Sequence, residues 1–379
     1  MKRILLASAS IVAFAGAAAA EITFSGEATL GYNDFNSDTV DGVSVVDDTG
    51  FYWDASIDVT MSQTLDNGLT ASATFGLIVV DGNLGEDVAS SDYVLSLTSD
   101  TAGLYFGNTE FAAVKHWTGA GEMDADGFSE EDGETVLRGD ITYGGVNSSV
   151  SYAVDSANDS LEQLSLGADA TFGTISVALG YQEETSFPGV GGDFNPNKVL
   201  GVSAGTSFAG ADVRLAFAQE SFTDSVTGDN VARQSIGVSA SYPFGPVTLG
   251  AYYVMESGES DGIVDPEDND SYGITADYVS GPLSVSASYE VDQQDASPTE
   301  DQTVDWELTG SYDVGNGITA FAGVVDAGDD YYVAGSMALG EGATLLVSYV
   351  KDGDEDDSDD EVGPNDYQEG ATVELGFSF

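Results

Sequence analysis

The sequence lacks cysteine altogether and is poor in basic residues. Without cysteine, disulfide bridges, thiol catalysis and lipid attachment at a leader cysteine are excluded. Only 8 Lys and Arg residues stand against 66 Asp and Glu residues, which gives a formal net charge of −58. A chain this acidic repels other polyanions, so nucleic acid is excluded as a partner.

Long apolar runs are also missing. The run from Ile4 to about Ala15 is too short for a transmembrane helix, and no later stretch reaches the roughly 18 uninterrupted apolar residues that such a helix needs. Lys2 and Arg3 precede this run and small residues follow it, which is the order of a secretory signal peptide. We therefore predict that residues 1–20 are a signal peptide and that residues 21–379 form one mature domain with six basic and 66 acidic residues.

Alternation of apolar and polar residues runs through most of the mature chain. It is clear at Glu21–Asp34, from Phe51 to Ser62 and in the last nine residues, Ala371–Phe379. Such a period of two is typical of β-strands with one apolar face. In seven of the clearest strands the apolar parity carries no charged residue, whereas the opposite parity carries Glu27, Asp54, Asp58, Glu256, Glu290, Asp292 and Glu374.

Short turns alternate with longer acidic segments between these strands. Nine tight turns, such as Gly144-Gly145 and Gly315-Asn316-Gly317, imply about twenty strands. Tight connections at one end and long ones at the other are typical of transmembrane barrels. The pattern predicts an all-β protein, a transmembrane antiparallel β-barrel with an even number of strands, in which the last strand closes the sheet on the first.

A secreted or surface-attached β-rich protein that binds calcium or another ligand is the alternative, because a packed protein core also produces an apolar parity. The polar parity separates the two interpretations. In a soluble sandwich this face would meet bulk water, and lysine would commonly guard its edges. Lysine is scarce here, which favours a barrel with lipid outside and water inside.

Three segments together resemble the general porins of Gram-negative outer membranes, most closely the acidic porins of α-proteobacteria. They are the opening E-I-T-F-S-G-E-A-T-L-G-Y, the turn S-Y-D-V-G-N-G at Ser311–Gly317 and the closing V-E-L-G-F-S-F. The resemblance implies export through the periplasm to the outer membrane of a Gram-negative cell, a homotrimer of water-filled barrels and contact with lipid and lipopolysaccharide. It also implies a carboxyl-terminal Phe379 that the barrel assembly machinery reads as an assembly signal, and sixteen strands, fewer than the turns indicate.

The resemblance further implies that the third external loop folds into the pore as a constriction. The segment 109–135 lies at that place, and it is 27 residues long. Because the P-E-F motif of enteric porins is absent, the assignment depends on position and acidity. The acidic side of the predicted constriction consists of Glu110, Glu122, Asp124, Asp126, Glu130, Glu131, Asp132 and Glu134.

Three arginines lie on the polar parity of their strands and should face the lumen: Arg138, Arg214 and Arg233. In one interpretation they form a basic pore wall opposite the acidic loop, giving a field across the lumen. In the other, each arginine neutralises a nearby carboxylate such as Asp140 or Asp212. Either arrangement leaves the lumen negative, which favours cations.

We therefore expect a porin for passive diffusion of small polar solutes and ions, with preference for cations, rather than an enzyme. The stretch Gly201-Val202-Ser203-Ala204-Gly205 matches the hydrolase pattern G-x-S-x-G, but it lies within an alternating strand. The one histidine, His116, precedes this serine, whereas hydrolases of that type place it after. We expect no catalytic residues.

No organic cofactor is expected, although one acidic run could bind calcium or magnesium. Within residues 352–361, the carboxylates of Asp354, Asp356, Asp359 and Asp360 are the hard oxygen ligands that these ions prefer. The run lacks the glycine at position six of an EF-hand loop. Diffuse counterion screening of an exposed loop is the alternative, and divalent ions could also bridge the acidic loops to lipopolysaccharide phosphates.

Overall fold

The computed structural model describes residues 20–34, 50–81, 88–129, 135–154, 161–183, 198–223, 230–258, 270–292, 303–353, 361–363 and 366–379. Antiparallel strands make up most of these residues. In chain order they are β1 Glu21–Asn33, β2 Gly50–Thr64, β3 Thr70–Asp81, β4 Ala89–Thr98, β5 Ala102–Gly107, β6 Thr135–Tyr143, β7 Val146–Val154, β8 Leu161–Phe172, β9 Ile175–Glu183, β10 Lys198–Phe208, β11 Ala211–Thr223, β12 Asn230–Phe244, β13 Val247–Gly258, β14 Ser271–Ser280, β15 Leu283–Asp292, β16 Thr303–Gly315, β17 Ile318–Val325, β18 Asp330–Gly340, β19 Ala343–Lys351, β20 Glu361–Val362, β21 Tyr367–Gln368 and β22 Gly370–Ser378.

Three short helical turns interrupt the strands. They are the α-helix α1 at Ala112–His116 and two 3₁₀ turns at Asp124–Asp126 and Asp326–Gly328. No helix among the described residues has the length and apolar character needed to cross a membrane.

Twenty strands form one closed barrel, in which each strand pairs with its sequence neighbour. The closure joins the two ends of the chain, because β22 pairs with β19 on one side and with β1 on the other, placing Leu375 opposite Leu30. The turn count is therefore confirmed, and the sixteen strands implied by the resemblance are wrong for this chain. The four additional strands continue the same hairpin repeat, so they enlarge the barrel without changing its topology.

Tight turns close the hairpins at one end of the barrel, as predicted. Between β6 and β7 the turn has two residues, Gly144 and Gly145, with φ angles of 62° and 84°. Positive φ at both central residues is the geometry of a type I′ turn, whose twist matches that of the paired strands. The opposite end carries the longer connections.

The apolar and polar side chains of each strand lie on opposite faces of the barrel, as the alternation predicts. Large apolar side chains of the outer face stand exposed, among them Phe51 at 70%, Leu215 at 60% and Ile274 at 58%. This apolar outer band suits lipid and does not suit a protein that is soluble in water. Aromatic residues lie near both rims of the band, as expected where lipid meets water: Tyr32, Trp53, Tyr253, Tyr289 and Trp306 at one end, and Tyr143, Phe172, Phe208, Phe244 and Tyr312 at the other.

Candidate functional site

The connection between β5 and β6 folds into the barrel, so the predicted inward loop is confirmed for the residues that the structure describes there. We call residues 108–129 the constriction loop. Serines of the inner wall accept hydrogen bonds from the loop backbone. Ser151 Oγ accepts from the Ala112 N–H and Ser165 Oγ from the Ala113 N–H, both at 2.8 Å, and Ser235 Oγ accepts from the Ala125 N–H at 2.9 Å. These bonds satisfy buried N–H groups of a segment that has few backbone partners of its own.

Glycines of the inner wall make room for the constriction loop. A Cβ added to Gly167 would lie 1.8 Å from the Ala112 carbonyl oxygen, and one added to Gly237 would lie 2.1 Å from the Ala120 carbonyl oxygen. At Gly201 and Gly180 an added Cβ would meet the rings of Trp117 and Phe128, at 2.5 and 2.8 Å. Backbone and rings of the loop therefore lie directly against the wall backbone.

Apolar side chains of the loop pack between it and the wall. Phe111, Ala112, Ala113 and Ala125 are fully buried, and the rings of Trp117 and Phe128 contact each other with centroids 5.7 Å apart. The loop covers the inner face from β6 to β14, since its hydrogen bonds extend from Arg138, which donates to the Glu110 carbonyl, to Ser271, which donates to the Glu122 carbonyl at 2.9 Å.

A charged group fixes the start of the loop. Arg138, only 5% exposed, donates to Asp140 at 3.1 Å and to the Glu110 carbonyl at 2.5 Å, and its guanidinium lies 4.9 Å from the Tyr105 ring centroid. Lys115 of α1 donates to the same Asp140 at 2.5 Å. One wall carboxylate therefore holds two cations, one from the wall and one from the loop.

His116 fixes the end of α1. Its Nδ1 lies 2.5 Å from Asp169 Oδ1, and its Nε2 lies 2.7 Å from Ser149 Oγ. Ser149 and Asp169 lie on the adjacent strands β7 and β8, and Ser149 is directly opposite Asp140 on β6. The order Asp, His, Ser is that of a hydrolase triad, but Ser149 is 7% exposed beneath the loop, so we assign the group to anchoring.

The structure describes four of the eight carboxylates that were predicted for the acidic side of the constriction. Glu110 and Glu122 are exposed on the loop, whereas Asp124 and Asp126 are half-buried against the wall. Asp126 accepts a hydrogen bond from Trp117 Nε1 at 2.9 Å, and the Asp124 N–H donates to Glu256 at 3.2 Å. Glu130, Glu131, Asp132 and Glu134 lie outside the described residues.

The three predicted wall arginines all face the lumen side of the barrel, but they do not form one group. Arg138 pairs with Asp140, and Arg233 pairs with Glu220, whose side chain is 4% exposed. Arg214 donates to Ser203 Oγ at 3.2 Å. For Arg138 and Arg233 these contacts favour neutralisation of neighbouring carboxylates over a field directed across the lumen.

The profile of the Gram-negative porin family matches residues 7–330 of this chain. The chain belongs to that family. Two mutants of the porin of Rhodopseudomonas blastica are similar solved structures, with sequence identities of 17% and 16% and TM-scores of 0.46 and 0.45. Each alignment covers 95% of this chain and 100% of the other chain. No curated protein sequence matches the chain significantly.

The wall residues that seat the loop of this porin were not predicted, although the sequence carries two signals for them. Small residues recur on the polar parity of consecutive strands, as in the pairs Ser165 and Gly167, Gly201 and Ser203, and Ser235 and Gly237. Near its start the loop carries the uncharged run Phe111–Val114, within a segment rich in acidic residues. An apolar run needs a dry surface, and a strip of small side chains provides one.

A second segment of the porin folds inward, and this too was not predicted. The small hairpin of β20 and β21 packs on the inner face of β17 to β19, where Tyr367 lies 5.2 Å from Tyr332 and 6.4 Å from Phe321 between ring centroids. Tyr332 is 2% exposed. The porin lumen is therefore narrowed from two connections, since this cluster lies apart from the strands that carry the constriction loop.

The acidic run that could bind divalent ions is not part of the described structure. Asp354, Asp356, Asp359 and Asp360 all fall outside the described residues. Within the described ranges, no group of three or more His, Asp or Glu side chains is arranged to hold a metal ion. Calcium or magnesium binding by this porin stays a prediction.

One prediction concerns Asp126, which lies in the constriction loop rather than in a wall strand. Burial raises the pKa of its carboxyl above the ordinary 3.8, and the hydrogen bond from Trp117 lowers it in part. A raised pKa means that the seated loop binds the proton more tightly than the released loop, so seating should weaken as the pH rises above 3.8 through the raised pKa. The carboxylates of Glu220 and Glu256 lie close enough to Asp126 to feel its charge.

Asp126→Asn should hold the loop more firmly at neutral pH, because the amide oxygen still accepts from Trp117 and no charge is buried. Fluorescence of Trp117, in a background with Trp53 and Trp306 replaced by phenylalanine, would report this seating. We expect the spectrum to depend on pH when Asp126 is present and to lose this dependence in the D126N protein. Identical pH profiles for both proteins would contradict the assignment.

Proposed function

We propose that this porin forms a water-filled channel for passive diffusion of small hydrophilic solutes and that the channel prefers cations. The family supports an outer-membrane channel. The preference is supported by one observation, the unequal distribution of charge along the inner wall.

Basic residues are few on the side of the barrel that the constriction loop leaves open. Strands β15 to β18, β22 and β1 to β5 contain no lysine or arginine. Their polar parity carries many carboxylates, among them Glu27, Asp54, Asp58, Glu290, Asp305, Glu307 and Glu374. Some accept hydrogen bonds from tyrosines, as Glu374 does from Tyr52 at 2.7 Å, but no cation of the described chain forms an ion pair with them.

Most basic residues of the mature chain are already paired. Five of the six form ion pairs with carboxylates of the described chain. They are Lys115, Arg138, Lys198, Arg233 and Lys351. A lumen whose cations are paired and whose carboxylates are in excess has a negative potential, which concentrates cations and repels anions.

Reversal potentials in planar bilayers test the preference. Under a KCl gradient we expect the sign of a cation-selective channel, with a potassium to chloride permeability ratio well above one. Replacing Glu290, Asp305 and Glu307 by Gln, Asn and Gln should lower this ratio, because these carboxylates line the open wall. A triple amide substitution at Asp66, Asp100 and Glu341, which are exposed in tight turns, is the control with the same change of charge and should change the ratio less. A preference for chloride in the unmodified channel would contradict the proposal.

The remaining parts of the proposal concern assembly. We propose that residues 1–20 are removed on export through the periplasm, that Phe379 is read by the barrel assembly machinery, and that the mature chain forms a homotrimer in contact with lipid and lipopolysaccharide. The exposed carboxyl-terminal ring, at 74%, supports the role of Phe379. The apolar outer band supports burial against lipid or against other copies of the chain.

A further inference from the structure

A cavity lies in the inner wall between the constriction loop and the tight-turn end of the barrel. Its volume is about 480 Å³, and residues of β9 to β14 line it together with Gly121 of the loop. Ligand sites commonly have volumes of about 300–1,000 Å³, so the space suits a small solute. Hydroxyl groups dominate its polar lining: Ser176, Ser207, Ser239, Ser241 and Thr275.

Arg214 supplies the positive charge of this cavity. It is the one basic residue of the mature chain that pairs with no carboxylate of the described structure. Its hydrogen bond to Ser203 Oγ, at 3.2 Å, involves only Nη1. Because an arginine has five N–H donors, most of this guanidinium is available to a ligand.

The guanidinium lies beside Gly205 of β10. A Cβ built on Gly205 would lie 3.5 Å from Arg214 Cζ and Nη2, so the guanidinium lies close against the backbone of β10. Ser176 Oγ, which donates to the Gly205 carbonyl at 3.3 Å, lies on the far side of the same glycine. The planar guanidinium presents its donors as a fork, which matches the two oxygens of a carboxylate.

The cavity has one acidic lining residue among those described, Asp212. Its carboxylate accepts a hydrogen bond from the Ser207 hydroxyl. It can accept further bonds from hydroxyl groups of a ligand, but it repels a second negative charge. The lining therefore selects for a single carboxylate surrounded by hydroxyl groups.

We propose that this cavity is a subsite for small hydroxylated monocarboxylates, with Arg214 binding the carboxylate and the serine, threonine and Asp212 groups binding the hydroxyls. The proposal rests on the channel function proposed above and names one class of solute for it. In a lumen that repels anions, a local cation would give such solutes a place to bind beyond the constriction.

Gluconate is the probe, and sorbitol, its uncharged counterpart, is the matched solute. Single channels in planar bilayers at high KCl would be exposed to each solute from either side, and block would be measured as the fraction of open-channel current. We expect block by gluconate, stronger from the tight-turn side, and none by sorbitol. In Arg214→Gln, gluconate affinity should fall about tenfold or more, since bonds between charged partners are lost. Arg214→Lys, which keeps the charge without the fork, should lie between the two.

Lys198→Gln is the control variant, because it removes the same charge from a side chain that is 60% exposed at the far end of β10. Its gluconate block should equal that of the unmodified channel. Equal block in R214Q and the unmodified protein, equal block by gluconate and sorbitol, or no gluconate block of a conducting channel would overturn the subsite alone. Failure of the protein to form any ion-conducting channel would overturn the proposed function, and the subsite with it.

Discussion

Replacing Gly167 and Gly237 with valine is expected to release the constriction loop from the barrel wall and to raise the single-channel conductance severalfold. The two glycines lie on β8 and β12, beneath the two halves of the loop. An added Cβ would lie 1.8 Å from the Ala112 carbonyl oxygen at one site and 2.1 Å from the Ala120 carbonyl oxygen at the other.

The contacts are with backbone atoms, so no rotamer change relieves them. Forcing extra carbon atoms into a packed site costs about 1–3 kcal/mol each, and the two sites are far enough apart for the costs to add. The wall strands are held by two neighbours each, whereas the loop is held mainly by a few hydrogen bonds and apolar contacts. The loop should therefore move, and the barrel should remain.

Conductance of the double variant in planar bilayers would be compared with that of Gly376→Val. Gly376 lies on the polar parity of β22, and a Cβ there meets nothing within 4 Å. This control adds the same side chain to the inner wall without touching the loop, so its conductance should stay close to that of the unmodified channel. A double variant that conducts like the control would show that the loop does not set the channel width.

Arg233→Ala is expected to destabilise the porin strongly, by about 3 kcal/mol. Glu220 on β11 is directly opposite Arg233 on β12, and its side chain is only 4% exposed. Removing the guanidinium leaves a buried carboxylate without its cation, close to Asp126 of the loop. Because the Arg233 side chain is 38% exposed, water screens part of the pair, and we take the lower end of the range for breaking a buried ion pair.

Adding Glu220→Gln to Arg233→Ala should recover much of this loss, because the second change removes the unpaired buried charge. Midpoints of urea unfolding in detergent, followed by tryptophan fluorescence, would measure both effects. Lys198→Gln, which breaks the exposed pair with Glu183, is the control and should change the midpoint little. An R233A midpoint equal to that of the control would contradict a stabilising role for the buried pair.

The sequence by itself determined that the chain forms a barrel and that the apolar face of each strand points outward. Alternation at Ala371–Phe379 predicts a strand whose apolar residues face outward, and the structure places Val373 and Phe377 exposed on that face. Such local patterns are reliable because strand geometry turns every second side chain to the same side. Nine turn signals sufficed for a count of twenty strands, and the family resemblance alone would have predicted too few.

Only the tertiary structure decided which inward-facing side chains contact each other. Parity shows that Arg138, Arg214 and Arg233 face inward, but not that two of them pair with wall carboxylates while the third lines a cavity. Those contacts depend on how neighbouring strands align and on where the loop settles. The loop is seated by serines and glycines from strands far apart in the sequence, as Ser151 on β7 and Ser271 on β14 are. Pairing of consecutive strands and curvature of the sheet bring such residues around one loop, and no local pattern in the sequence records which of them the loop contacts.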